Sequence, residues 1–344
     1  MSKRIEWVDV CKGFAMLLVM MGHTYFSTPI KTWLYTFHVP MFYFLSGYVF
    51  SVKKYSGFKE FLLAKIKTLL LPMVILGMII CISDAFVIPE SPIAETLIKR
   101  VAGIFIELRG GAFDIKLWFI VSIFVAEVMF YMIIKFTKGN VKGIIAVLCI
   151  CSLCAFTYTK VINRICPWAI ETALVAVGYL GAGYLVRNYA NDFIVNLHRL
   201  RWMIIMAILS FGYMFLCYTL DYPVGMDIYS DKLGAYPYSY IGAFAGIFFS
   251  ISVFQHFENA RILKYIGVNS FIYYAFHKSL FLIYDKLIEN FGISFFETVN
   301  VNIKGSVYVA LSILIIAVFA WLINNYAPWI MGRTRTKEKH KNEI

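Results

Sequence analysis

The sequence predicts an all-α polytopic membrane protein with about ten transmembrane helices and both termini in the cytoplasm. Hydrophobic residues make up 60% of the 344 residues and charged residues only 15%, compared with roughly 45–50% and 25% in soluble proteins. Ten apolar runs are each long enough to cross a bilayer, which takes roughly 20 helical residues. This composition excludes a soluble enzyme.

The first run follows Lys3 and Arg4, as in a signal peptide. No small-residue cleavage site comes after it, so we interpret it as a retained span. The ten predicted spans are 6–27, 33–52, 61–83, 117–136, 143–160, 168–186, 202–220, 239–256, 269–288 and 306–326.

Basic residues are unevenly divided between alternate connecting segments. The N-terminus and the segments 53–67, 135–142, 187–201, 261–264 and 333–341 carry 20 Lys and Arg residues, and the alternate loops carry nine. Because Lys and Arg near span ends favour the cytoplasmic side, this division predicts cytoplasmic termini. Topology also accounts for the net charge of +12, so we expect no nucleic-acid partner.

Seven cysteines lie mostly inside the apolar runs, where Cys behaves as a small hydrophobic residue. Cys149, Cys151 and Cys154 could suggest a metal cluster. However, Cys149 and Cys151 point to different sides of a helix, and no His lies near them in the sequence. We therefore expect neither a metal site nor a disulfide framework.

The first predicted helix carries three ionisable residues, Asp9, Lys12 and His23. At 100° per residue all three fall on one stripe, with Lys12 and His23 roughly 16 Å apart along the axis. An ionisable side chain inside a span indicates function, because it is costly to keep there. Two purely structural alternatives stay open. Lys12 could be a topology anchor whose ammonium reaches the interface, and His23 could form an interhelical hydrogen bond.

The second helix carries His38 shortly before Pro40, at a depth that would let His38 and His23 face one cavity. Pro40 would open backbone groups there, which a membrane tolerates only where protein or water satisfies them. His277 on the ninth helix could join this cavity or form a core hydrogen bond. Glu127 and Glu171 are the buried carboxylates of helices four and six, and each could be the structural partner of a cation.

Several motifs resemble the acyltransferase-3 family of integral-membrane O-acyltransferases, in particular its fucose 4-O-acetylase-like and capsule polysaccharide O-acetyltransferase branch. The resemblance spans about residues 5–280 and rests on four stretches, 7–23, 37–48, 117–119 and 267–277. The family signature is a basic residue, usually Arg, then ten residues and a His. Lys12 and His23 match this spacing with Lys in place of Arg, which offers a point charge instead of a bidentate fork.

The resemblance implies transfer of an acetyl group from cytoplasmic acetyl-CoA to a sugar hydroxyl of a cell-surface glycan or its lipid-linked precursor. Many members have Arg residues before a Pro at the start of the third helix, and Lys65, Lys67 and Pro72 look like a displaced version of this pattern. We therefore expect the CoA phosphates to contact Lys12, Lys65 and Lys67. No hydrolase-like domain follows, as in stand-alone members, so we predict one ten-helix acyltransferase domain, 1–331, and a basic tail, 332–344.

His23 is the expected general base, with an acetyl-His intermediate as the covalent variant. We assign His38 to acceptor or oxyanion contacts and His277 to the substrate. Tyr229, Tyr236 and Asp227 in the outer segment 221–240 could bind a sugar, although a belt of interfacial tyrosines explains them equally well. Acetyl-CoA, a glycan acceptor and membrane lipids are the expected partners, without a metal, in the plasma membrane. The sequence leaves open whether the protein forms a homo-oligomer.

The competing function class is a non-catalytic membrane subunit for polysaccharide export or small-solute transport. A transporter normally shows internal repeats or paired broken helices. The two halves of the sequence show no convincing repeat, which favours the acyltransferase.

Overall fold

The computed structural model describes residues 5–87, 93–110, 113–162, 164–220, 233–234, 236–293 and 295–333. Helices dominate these residues and no strand occurs among them, so the predicted all-α class is confirmed. The α-helices are α1 (Glu6–Gly22), α2 (Thr28–Tyr35), α3 (His38–Tyr48), α4 (Phe58–Lys65), α5 (Leu71–Val87), α6 (Ile93–Ile106), α7 (Trp118–Phe136), α8 (Val141–Val161), α9 (Ile170–Tyr189), α10 (Asn191–Asn196), α11 (Leu200–Thr219), α12 (Tyr238–Phe254), α13 (Arg261–Val268), α14 (Ser270–Phe291), α15 (Phe295–Thr298) and α16 (Val301–Tyr326).

Six helical segments in the described part of the chain are long and apolar enough to cross a membrane. They are Phe58–Ala85, Trp118–Phe136, Val141–Val161, Pro167–Tyr189, Leu200–Thr219 and Val301–Tyr326, and Tyr238–Phe254 is a shorter apolar helix. The protein is therefore a membrane protein. Each of the ten predicted apolar runs falls on helix, but α1 has only 17 residues and α14 is rich in charge, so the count of ten spans and the side of the termini stay predictions.

The predicted second span, 33–52, is not one helix. It breaks between α2 and α3, at Thr36 and Phe37, where side chains bond two carbonyls of the last turn of α2. Thr36 Oγ1 donates to the Trp33 carbonyl at 2.6 Å, and His38 Nδ1 lies 2.6 Å from the Leu34 carbonyl. The new helix begins at His38, so Pro40 falls in its first turn, where its missing N–H needs no acceptor.

The segment from α4 to α5 contains one π-helical stretch, Ile66–Leu70. An isolated π turn inserts an extra residue into a helix and is frequent at functional sites. Here it brings Leu69 to the wall of the central cavity.

Two close backbone crossings hold the helices that surround this cavity. A Cβ on Gly267 of α13 would overlap the carbonyl of Asp9 in α1, and a Cβ on Gly47 of α3 would overlap that of Leu180 in α9. Small residues permit such approach, and backbone proximity contributes to helix association in membranes because lipid gives no hydrophobic driving force. These crossings fix α1 against α13 and α3 against α9.

Gly267→Ala is therefore expected to destabilise the protein by about 1–3 kcal/mol, since α1 and α13 must separate to admit the methyl group. Gly212→Ala in α11 is the matched control, because a Cβ there meets nothing within 4 Å. Thermal unfolding of the purified protein in detergent would measure both. Equal unfolding midpoints for the two variants would contradict the close crossing.

Candidate active site

An elongated cavity of about 600 Å³ lies between α1, α3, α7 and α14. α1 contributes Lys12, Met16, Val19 and His23, whose spacing of four, three and four residues places them on one helical face. Lys12 and His23 therefore share one cavity, as the stripe in the sequence predicted. Their separation of 11 residues corresponds to roughly 16 Å of helix.

The opposite walls are largely apolar and aromatic. α3 supplies His38, Phe42 and Ser46, and α7 supplies the segment around Trp118 and Phe119. Cavities of about 300–1,000 Å³ with apolar walls and a few polar groups are typical of small-molecule sites. The size and lining suit a ligand with a long, thin arm.

His23 immediately follows the last residue of α1, and its exposed surface faces the cavity. Its Nδ1 lies 2.8 Å from the Val19 carbonyl oxygen. A carbonyl oxygen only accepts, so Nδ1 carries the hydrogen and donates it. The neutral ring then has its lone pair on Nε2, the nitrogen that can accept a proton from a bound ligand.

His38 is buried at the same end of the cavity, where its ring packs against Tyr35 with centroids 5.0 Å apart. Its Nδ1 lies 2.6 Å from the Leu34 carbonyl, so the same reasoning places the lone pair on Nε2. The prediction that His23 and His38 face one cavity is confirmed. In this tautomer Nε2 of His38 can accept a hydrogen bond but cannot donate one to an oxyanion.

His277 lies behind His23 rather than on the cavity wall. It is 1% exposed, and its Nδ1 lies 2.8 Å from the Tyr274 carbonyl and 3.1 Å from that of Tyr273. Its Nε2 is therefore an acceptor, 3.3 Å from Nδ1 of His23. Our assignment of His277 to the substrate does not fit this burial. The geometry makes His277 a partner of His23, which resembles the alternative of a core hydrogen bond in the sequence analysis.

The three predicted donor-binding lysines are not together. Lys12 is half-buried on the cavity wall. Lys65 points away from the cavity, because its Nζ pairs with Glu127 Oε2 at 2.7 Å. Lys67 is exposed on the π-helical stretch and does not line the cavity either, so the placement supports Lys12 and not the other two.

The predicted sugar-binding residues do not reach the cavity in the described part of the chain. Tyr236 stacks on Phe156 with ring centroids 4.5 Å apart. The Ser152 hydroxyl is hydrogen-bonded to the hydroxyls of both Tyr236 and Tyr240. This aromatic stack, between α8 and α12, fits the interfacial belt better than a sugar site. Asp227 and Tyr229 lie outside the described residues.

Both buried carboxylates have cationic partners, as predicted. Glu127 pairs with Lys65, and Glu171 at the start of α9 pairs with Arg109, whose side chain is fully buried. Arg109 also donates to Thr172 Oγ1 at 2.6 Å and lies over the Trp118 ring. This pair fixes the segment between α6 and α7 against α9.

Glu107 is a buried carboxyl in the same connecting segment, outside the candidate spans. Burial, with a smaller contribution from Asp114, raises the pKa of Glu107 to about 8. The group is therefore mostly neutral at pH 7, which removes the cost of burying a charge there.

The two further cationic residues of the cavity, Lys116 and Lys278, were missed from the sequence. Lys116 lies just before α7, and Lys278 follows His277 on α14. Lys278 carried a usable signal, because a Lys in an apolar run is rarely placed at random. Lys116 carried none, since it was indistinguishable from other loop cations.

The family comparison covers the part of the chain that forms the cavity. Residues 5–324 match the acyltransferase-3 family model, described as an acyltransferase domain. The chain belongs to this acyltransferase family. The match begins before Lys12 and ends within α16, so it includes every helix that lines the cavity.

Searches among curated proteins and among solved structures give no match to the chain. The acyltransferase activity thus follows from the family, which does not fix the donor, the acceptor or the base. A membrane acyltransferase needs a site where a donor and an acceptor meet. The cavity with His23 and His38 at one end offers such a site.

Proposed function

We propose that this acyltransferase moves an acetyl group from acetyl-CoA to a hydroxyl group of a cell-surface glycan or its lipid-linked precursor, with His23 as the general base. The observation that carries the proposal is one cavity with a cation at one end and a base with a defined lone pair at the other. This arrangement matches a donor with a charged head and a reactive thioester at the far end of its arm. We place the enzyme in the plasma membrane.

In this proposal the donor enters from the Lys12 end, where the ammonium contacts a phosphate of CoA. The pantetheine arm follows the α1 face past Met16 and Val19, which offer it an apolar wall. An extended arm spans a length comparable to the roughly 16 Å between Lys12 and His23. The thioester carbonyl then lies beside His23.

The acceptor hydroxyl enters the histidine end of the cavity and attacks the thioester carbonyl. His23 Nε2 removes the hydroxyl proton as the new C–O bond forms, and it returns that proton to the departing CoA sulfur as the C–S bond breaks. The hydrogen on Nδ1 of His23 is shared between the Val19 carbonyl at 2.8 Å and His277 Nε2 at 3.3 Å, and these two acceptors hold the tautomer and stabilise the transient imidazolium. His38 Nε2 can accept from another hydroxyl of the acceptor and orient it.

The proposal is tested by incubating purified protein in lipid vesicles with radiolabelled acetyl-CoA and a glycan fraction from the cells that naturally produce the protein. We expect label to move into base-labile ester on the glycan. Label that stays entirely on CoA, with folded protein and acceptor present, would exclude acetyl-CoA as the donor.

Lys12→Ala is expected to weaken acetyl-CoA binding about tenfold or more, since a charge-assisted contact to phosphate is lost. Lys12→Arg conserves the charge and should retain most of the affinity. Binding can be followed by titration of the detergent-purified protein with acetyl-CoA. Lys67→Ala is the matched control, because Lys67 lies off the cavity, and its affinity should equal that of wild type. Unchanged affinity in Lys12→Ala would return Lys12 to the role of a topology anchor.

A further inference from the structure

Two lysines lie at the histidine end of the cavity, where the proposed reaction needs none. Lys116 precedes α7 and has an exposed side chain, and Lys278 is half-buried on α14. Both also line a small adjoining recess beside Asp84. A pair of cations from two different segments therefore borders the reacting end.

The backbone of Lys116 is held in an unusual conformation. Its φ is 61°, in the left-handed region that non-glycine residues rarely adopt. The N–H of Lys116 donates to Asp114 Oδ1 at 2.7 Å, and its carbonyl accepts from the Tyr274 hydroxyl at 2.9 Å. Tyr274 lies one turn before Lys278 on α14, so these contacts tie the loop cation to the helix that carries the second one.

The carboxylates near this pair have other partners. Asp84 accepts from Ser279 Oγ at 2.8 Å and lies 3.9 Å from Arg100, and Asp114 accepts from two backbone N–H groups. Neither lysine makes an ion pair with a residue in the described ranges. Asp114 interacts electrostatically with Lys278, but one carboxylate does not balance two cations, and an unbalanced charge facing a cavity inside a membrane protein is costly. Two cations bordering the same space also repel each other, which an anion between them would relieve.

We propose that Lys116 and Lys278 bind an anionic group of the acceptor, a phosphate or a carboxylate next to the sugar that is acetylated. This rests on the proposed function. The donor is a poor source for this anion, because its phosphates are assigned to the Lys12 end, roughly 16 Å away along α1, and the acetyl group is neutral. The acceptor class is therefore an acidic or phosphate-linked sugar rather than a neutral one.

The test measures ligand binding by saturation-transfer NMR on the detergent-purified protein, with glucose 1-phosphate, glucuronate and glucose as probes. We expect saturable binding of at least one anionic probe and much weaker binding of glucose. Lys116→Gln and Lys278→Gln should each weaken the anionic probe about tenfold, as expected for a lost charge-assisted contact. Preference for glucose 1-phosphate would indicate a phosphate-linked acceptor, and preference for glucuronate an acidic sugar.

Lys286→Gln is the matched control, because Lys286 lies two turns further along α14, exposed and paired with Glu289 at 2.9 Å. It should bind the anion as wild type does, and so should Lys12→Gln. Retained acetyl-CoA binding in the Lys116, Lys278 and Lys286 variants, and a wild-type unfolding midpoint in Lys12→Gln, show that the proteins are folded. If Lys278→Gln does not fold, Lys116→Gln alone decides. The proposal is overturned if no anionic probe binds, if glucose binds equally well, or if only Lys12→Gln loses the anion.

Acetyl transfer from acetyl-CoA on the same preparations separates the two proposals. Lysine-dependent anion binding without any acetyl transfer would leave the site standing and remove the proposed function. Acetyl transfer with no lysine-dependent anion binding would leave the proposed function standing and remove the anion site.

Discussion

His23→Ala lowers acetyl transfer by about 10²–10⁴-fold in this account, the usual cost of losing a general base. The physical reason is that Nδ1–H of His23 points to the Val19 carbonyl and to His277 Nε2, so Nε2 of His23 is the proton acceptor at the reacting end of the cavity. A purely structural interhelical hydrogen bond would instead cost only ~0.6 kcal/mol of stability. Initial rates with purified, folded protein separate these two cases.

His23→Ala should accumulate in the membrane at near wild-type level and still bind acetyl-CoA, because Lys12 and the arm-binding wall are intact. His38→Ala should show a smaller or acceptor-dependent defect. His256→Ala is the control, since His256 lies away from the cavity with Nε2 2.7 Å from the His198 carbonyl. Transfer by His23→Ala within a few-fold of wild type would move the base to His38.

Removal of the Arg109 guanidinium is expected to have the largest effect on stability. Arg109→Leu leaves the Glu171 carboxylate buried without its cation, which costs about 3–5 kcal/mol. The same change releases the segment that carries Lys116 and the start of α7, so ligand binding should weaken as well. Thermal unfolding in detergent at pH 7 measures the first effect.

The double variant Arg109→Leu/Glu171→Leu should recover much of the lost stability, because it removes the unpaired charge along with the pair. Lys99→Ala is the surface control, since its pair with Glu95 is exposed on α6 and such pairs contribute at most about 1 kcal/mol. If Arg109→Leu unfolded at the wild-type temperature, the buried pair would not anchor this segment.

Features of the chain that depend on composition and helical period could be predicted. Apolar runs become helices because a membrane forces the backbone to satisfy its own hydrogen bonds. Lys12 and His23 meet one cavity because 11 residues bring a helix almost back to the same face. Glu127 and Glu171 have cations because an unpaired carboxylate would be too costly inside the protein.

Features that depend on tertiary pairing could not be predicted. The break at Thr36 and Phe37, where two side chains bond backbone carbonyls, is not revealed by the apolar pattern. Lys65 was expected to bind the donor, but Glu127 from another helix holds it. The burial of His277 behind His23 likewise follows from how α14 packs on α1.

The central claim is that the acyl end of CoA reaches His23 through the cavity that begins at Lys12. Chloroacetyl-CoA tests it most directly, because a nucleophilic side chain next to the acyl group displaces chloride. The side chain then stays covalently attached to the acyl group, which marks that residue. After incubation, digestion and mass spectrometry, we predict alkylation of His23, reduced by excess acetyl-CoA and by Lys12→Ala. Label on another residue with His23 unmodified, or labelling that acetyl-CoA does not suppress, would contradict the account.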